Sequence, residues 1–184
     1  MLLLMEYCKK PINQKDEDFG FNKNKLISYA KNNGLYVNQD RQPYETYYNE
    51  YLANRLNAIC IHPTTTSIDG SAVGRYKYEI CDLYGNETMY FAKIGQPSDF
   101  AYAIDQALLT LEQLNNSNHI TLPNGSDVSV SKFCLLFVFN NRKTQVKKWE
   151  DILSINFLIH LCEIKRQLNM TDISLKVNFA YEKI

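Results

Sequence analysis

One stretch constrains the fold more than any other: Tyr78 to Leu114, YEICDLYGNETMYFAKIGQPSDFAYAIDQALLTLEQL. Aromatic and apolar residues crowd Arg75 to Leu83 and again Met89 to Ile94, as suits pleated, half-buried strands. Gly85-Asn86 between them predicts a tight turn that tolerates positive φ. Gly95 and Pro97 stop the second strand, Ser98 is the expected N-cap, and Asp99 suits the first turn of a helix. Phe100, Ile104, Ala107, Leu108, Leu111 and Leu114 then recur at helical spacing, with Asp105 and Gln106 off that stripe. The unit reads strand, turn, strand, helix.

Register decides which faces its polar residues occupy. If Tyr84 pairs with Glu87, Lys93 shares the face of Asp82 and Glu79 points away. A one-residue bulge moves Lys93 to the face of Glu79. Both registers stay open at the level of sequence.

The rest of the chain supplies the partners of this unit. Residues 9–23 are polar and read as a linker, so residues 1–23 are expected to form an arm and residues 24–184 one α/β domain. The opening MLLLM is too short for a membrane span or a signal peptide and suits an edge strand or a loose start. A short helix around Leu26 to Ala30 ends at Gly34, and a second runs from Tyr44 to Asn57 with tyrosines on one side. Those tyrosines suit a packing face, or a stacking surface for bases. A short strand follows at Ala58 to Ile61. Phe133 to Phe139 is a continuous apolar run, the signature of a strand buried on both faces. Trp149 to Leu168 reads as a long helix, on whose apolar face His160 reads as a satisfied core histidine. Ile173 to Phe179 alternates as a last strand. The layer rules then give a mixed central sheet of about five strands flanked by helices.

Composition excludes little but narrows the partners. Twenty basic and twenty acidic residues leave a formal net charge of zero, so any nucleic-acid contact needs a local patch. Arg142, Lys143, Lys147 and Lys148 form one such cluster. The five cysteines have no metal-ligand spacing and read as reduced thiols of a cytoplasmic protein with no membrane partner.

The order α-β-β-β-α-β resembles the core of the PD-(D/E)XK nucleases. That resemblance implies acids on the second and third strands holding Mg²⁺, and a third-strand lysine that orients or activates water. Glu79 and Asp82 are then the strand acids and metal ligands, Lys93 is the lysine, Glu45 or Glu50 is a helical acid, and Gln106 lines the site. The departure is Phe91, which stands where the motif has an acid. On a hairpin, an Asp, a Glu and a Lys also suit cross-strand pairs.

Glu45 to Leu114, and the tail Ile152 to Ile184, also resemble the C-terminal half of a sporadically distributed bacterial family of uncharacterised function. The resemblance is carried by EICDL (Glu79 to Leu83), the strand ending in Lys93, and the helix through Asp105-Gln106-Ala107-Leu108. Its members are longer and often lie near restriction and phage-defence genes. It implies a defence or mobile-element setting and names no catalytic residue. Two functions are thus expected to compete. One is a nuclease-like domain that binds or cleaves nucleic acid. The other is a non-catalytic module acting through a protein partner or as a homodimer.

Overall fold

A computed structural model of the chain describes residues 19–61, 80–117, 119–122, 125–140, 152 and 154–183. Among these, four helices surround the sheet: α1 (Lys23–Asn32), α2 (Tyr44–Leu56), α3 (Pro97–Ser117) and α4 (Ile155–Leu168). The strands are β1 (Ile59–Cys60), β2 (Leu83–Gly85), β3 (Thr88–Gly95), β4 (Ile120–Thr121), β5 (Asp127–Val128), β6 (Lys132–Phe139) and β7 (Ser174–Tyr181). The main sheet has five strands in the order β1-β2-β3-β6-β7, and β4-β5 form a separate two-stranded ribbon. The β1-β2-β3 part is antiparallel, and β3, β6 and β7 run parallel. The mixed α/β class with a flanked five-stranded sheet is as the sequence predicts.

Helices cover both faces of this sheet, because β6 is apolar on both. Phe133, Leu135, Phe137 and Phe139 point into one core with α3 and α4, while Leu136 and Val138 point into a second core with α1 and α2. The first core is an aromatic stack. Phe137 lies 4.8 Å from Phe100, 5.2 Å from Phe157 and 5.7 Å from Phe179, measured between ring centroids. The tyrosine face of α2 serves mainly for packing: Tyr47 and Tyr48 are buried with Leu52 and Ala53. The Tyr48 hydroxyl donates to the Phe19 carbonyl at 2.6 Å, which ties the chain before α1 to the second core. Phe21 adds a parallel bridge to Glu182.

The hairpin differs from expectation in its turn. Gly85 pairs with Thr88, so Asn86 and Glu87 are the central residues, with φ of 49° and 55°. Two consecutive positive φ values match a type I′ hairpin turn. Gly85 is spent otherwise: a Cβ there would sit 2.9 Å from the Ala58 backbone, so glycine lets the chain entering β1 pass closely. The pairing is shifted by two residues from Tyr84–Glu87 and ends at Leu83–Tyr90, so Asp82 lies beyond the paired register. The start of α3 also moves. Pro97 is its first residue, and Gln96 precedes it, its N–H bonded at 2.8 Å to the Asp99 carboxylate. This places proline where its missing N–H costs nothing.

The polar connection expected between residues 115 and 127 contains the β4-β5 ribbon. The helix expected from Trp149 is described from Ile155, where Ser154 caps it by accepting from Phe157 N–H.

Candidate functional site

The site is built around an edge that β2 leaves open. β2 pairs with β3 only from Thr88 to Tyr90. Beyond that, the Asp82 N–H still reaches the Tyr90 carbonyl at 3.0 Å, and then the two strands part. The next N–H groups on this edge of β3, at Ala92 and Ile94, have no neighbouring strand among the described residues to accept from them. Buried or half-buried donors need acceptors. Two carboxylates supply them: Asp82 Oδ2 accepts from Ala92 N–H at 2.8 Å, and Glu45 Oε1 accepts from Ile94 N–H at 3.2 Å. At about 3.3 Å of rise per residue, these two donors lie roughly 6.6 Å apart. The two acids therefore stand side by side along one strand edge.

Helix α2 delivers the second of them. Glu45 and Asn49 are one turn apart and face the same way. Asn49 Nδ2 donates to Asp82 Oδ1 at 3.2 Å, so both Asp82 oxygens are held. Lys93 completes the group: its ammonium lies 3.0 Å from Glu45 Oε1 and donates to Oε2 at 3.0 Å. The same ammonium sits 5.5 Å above the ring centroid of Tyr102 on α3. Side chains from β3, α2 and the residue before β2 thus meet on three residues of one strand.

Beside them opens a cleft of about 690 Å³, lined among others by Glu45, Lys93, Gly95, Arg41, Asp99 and Asn140. It lies past the carboxyl ends of β3 and β6, the side on which open α/β sheets take ligands. Asp82 is outside its lining, one strand repeat behind Ile94. Gln106 is outside it as well. It is buried on α3, and among the described residues its Nε2 finds no hydrogen-bond partner. Its side chain does not line the cleft beside Lys93, contrary to expectation.

Glu50, the other candidate helical acid, engages Cys60 rather than β3. Its side chain is hydrogen-bonded to the Cys60 thiol. Burial, then the nearby charges of Glu50 and Asp82, push that thiol up to about 12, so it stays protonated at neutral pH. Among the described residues, Cys60, Cys81, Cys134 and Cys162 form no disulfide. His160 is half-buried, its Nδ1 2.6 Å from Asp105 Oδ1, a bond that links α4 to α3. Phe91, where the nuclease motif has an acid, is fully buried, 5.1 Å from Phe133 between ring centroids. Glu79 and the basic cluster Arg142, Lys143, Lys147 and Lys148 lie outside the described residues.

Sequence reasoning missed Asn49 and Tyr102. The i, i+4 spacing of Glu45 and Asn49 was a signal for the first. The position of Tyr102 off the apolar stripe of α3 was a signal for the second.

A metal ion here would rest on few ligands. Among the described residues, no group of three or more His, Cys, Asp or Glu converges as a metal site. Asp82 and Glu45 are two, and Mg²⁺ takes one or two carboxylates with water and phosphate. Each carboxylate oxygen has two lone pairs, so a backbone bond does not exhaust it. Two carboxylates are the number Mg²⁺ takes when water and phosphate complete its shell, and both already hold backbone N–H groups of β3.

The edge bonds have a measurable worth. Asp82→Ala strands the Ala92 N–H and the Asn49 amide and is expected to cost about 1–3 kcal/mol. Asp82→Asn keeps an acceptor and is expected to cost about 1 kcal/mol or less. Urea unfolding of both variants checks this order, and amide exchange at Ala92 checks the cause.

No helix of the described residues is long and apolar enough to cross a membrane. In comparisons with known proteins, the chain matches no family model, no curated protein and no solved structure.

Proposed function

We propose that the chain is a cytoplasmic nuclease-like domain that binds nucleic acid and hydrolyses its phosphodiester bonds with Mg²⁺. The observation that carries this reading is the convergence of Asp82, Glu45 and Lys93 on Ala92–Ile94 of β3, beside an open cleft. Glu45, arriving from α2, supplies the second acid that Phe91 does not. Bound Mg²⁺ would polarise the phosphoryl oxygen and acidify a water. The chain's own part is to fix the carboxylates by backbone N–H bonds and to hold the Lys93 ammonium toward the anionic substrate. The defence or mobile-element setting follows from the resemblance in the segment around Glu79 to Leu83.

The test is cleavage of end-labelled oligonucleotides with and without Mg²⁺, by the unaltered protein and by Lys93→Ala. Metal-dependent cleavage lost in the variant supports the reading, and no cleavage by either removes hydrolysis.

A second reading is a non-catalytic module that keeps this fold and acts through a protein partner or as a homodimer. The burial of Phe91 and the engagement of both acids with β3 favour it. It predicts no cleavage, together with a stable assembly by light scattering.

A further inference from the structure

One cation–ring pair lies in the cleft, and a second joins a lysine of the cleft to a ring just outside its lining. Lys23 Nζ lies 5.6 Å from the ring centroid of Tyr44, and both residues line the cleft. Lys93 Nζ lies 5.5 Å from the ring centroid of Tyr102, whose side chain belongs to no core cluster and which is 62 % exposed.

Among the described residues, the charges of the cleft do not form a phosphate track by themselves: the cations Lys23, Arg41 and Lys93 face the acids Asp40, Glu45 and Asp99 in equal number. Lys93 is paired with Glu45 and Lys23 with Glu182. A balanced groove releases few counterions and gains little from a duplex backbone. Aromatic rings gain from any base whose π-face is accessible, and in a duplex those faces are stacked on each other.

We infer that the cleft takes a single-stranded nucleic acid, with one base stacked on Tyr102 and its neighbouring phosphate at Lys93, and with Tyr44 and Lys23 as a second such station. The inference rests on the nucleic-acid reading of this cleft and names its substrate class. Tyr102 is then a specificity-determining residue: it distinguishes unpaired from paired strands.

The test is binding at low salt in EDTA, followed by fluorescence anisotropy, so that no hydrolysis is required. The probes are a labelled single strand, the same sequence as a duplex, and an abasic single strand. The single strand is expected to bind at least about 10-fold more tightly than the duplex. Tyr102→Ala should weaken it about 5- to 100-fold, the range of one lost base stack, and Tyr102→Phe should restore it. The abasic strand should bind the unaltered protein about as weakly as the base-bearing strand binds Tyr102→Ala. Equal binding of duplex and single strand, or of abasic and base-bearing strands, overturns the inference. If Lys93-dependent cleavage persists in that case, the nucleic-acid reading stands without it. Binding of none of the three probes overturns both.

Discussion

Replacing Phe137 by alanine is expected to remove about 3–5 kcal/mol of folding stability, the range for emptying a buried aromatic site. Phe137 is fully buried at the centre of the ring stack, in contact with α3 through Phe100, α4 through Phe157 and β7 through Phe179. The loss has two parts. Transfer of the ring to water is one, and the cavity left among rings that cannot all collapse inward is the other. Against a total of about 5–15 kcal/mol, this is roughly a fifth or more of the whole. Phe137→Leu keeps most of the volume and is expected to cost clearly less. Urea unfolding monitored by far-UV circular dichroism reads both. A loss below about 1 kcal/mol for the alanine variant would mean that the stack is not the core of the domain.

Replacing Lys93 by alanine should do the reverse: little to the fold and much to the chemistry. The Lys93–Glu45 pair is part-exposed, with side chains 24 % and 44 % accessible, so its contribution to stability is expected below about 1 kcal/mol. The variant leaves Glu45 on the Ile94 N–H, so the edge of β3 stays covered. In the proposed function, the ammonium is the cation directed at a substrate anion. Removing such a donor costs about 10²–10³-fold in rate. The expected result is therefore an unfolding midpoint close to that of the unaltered protein, with Mg²⁺-dependent cleavage about 10²–10³-fold slower. Equal cleavage rates would take Lys93 out of the chemistry.

Much of the architecture was legible because the signals were periodic. The Phe133–Phe139 run reads as a strand buried on both faces, and β6 has helices on both faces. The apolar stripe from Phe100 to Leu111 is the face that α3 buries. The turn was misplaced because Gly85 has the composition of a turn centre but serves a close approach to Ala58. That approach is a tertiary contact with no local signature. The site was half legible. Asp82 and Lys93 are visible as polar residues in an apolar hairpin, and Glu45 was one of two candidate helical acids. What selected Glu45 over Glu50 is the packing of α2 against the parted strands, which brings Glu45 to Ile94 and sends Glu50 to Cys60. Nothing in the spacing of residues along α2 encodes where β2 leaves β3.

The central claim is that Asp82 and Glu45, held along one edge of β3, act as a cation site as well as caps of the backbone. Titration calorimetry with Mg²⁺ on the unaltered protein, Asp82→Asn and Glu45→Gln tests it most directly, with circular dichroism confirming that each variant is folded. The account predicts one binding event in the unaltered protein, weakened at least about 10-fold in each variant through loss of a ligand charge. Absence of Mg²⁺ binding, or binding that neither substitution changes, would contradict it.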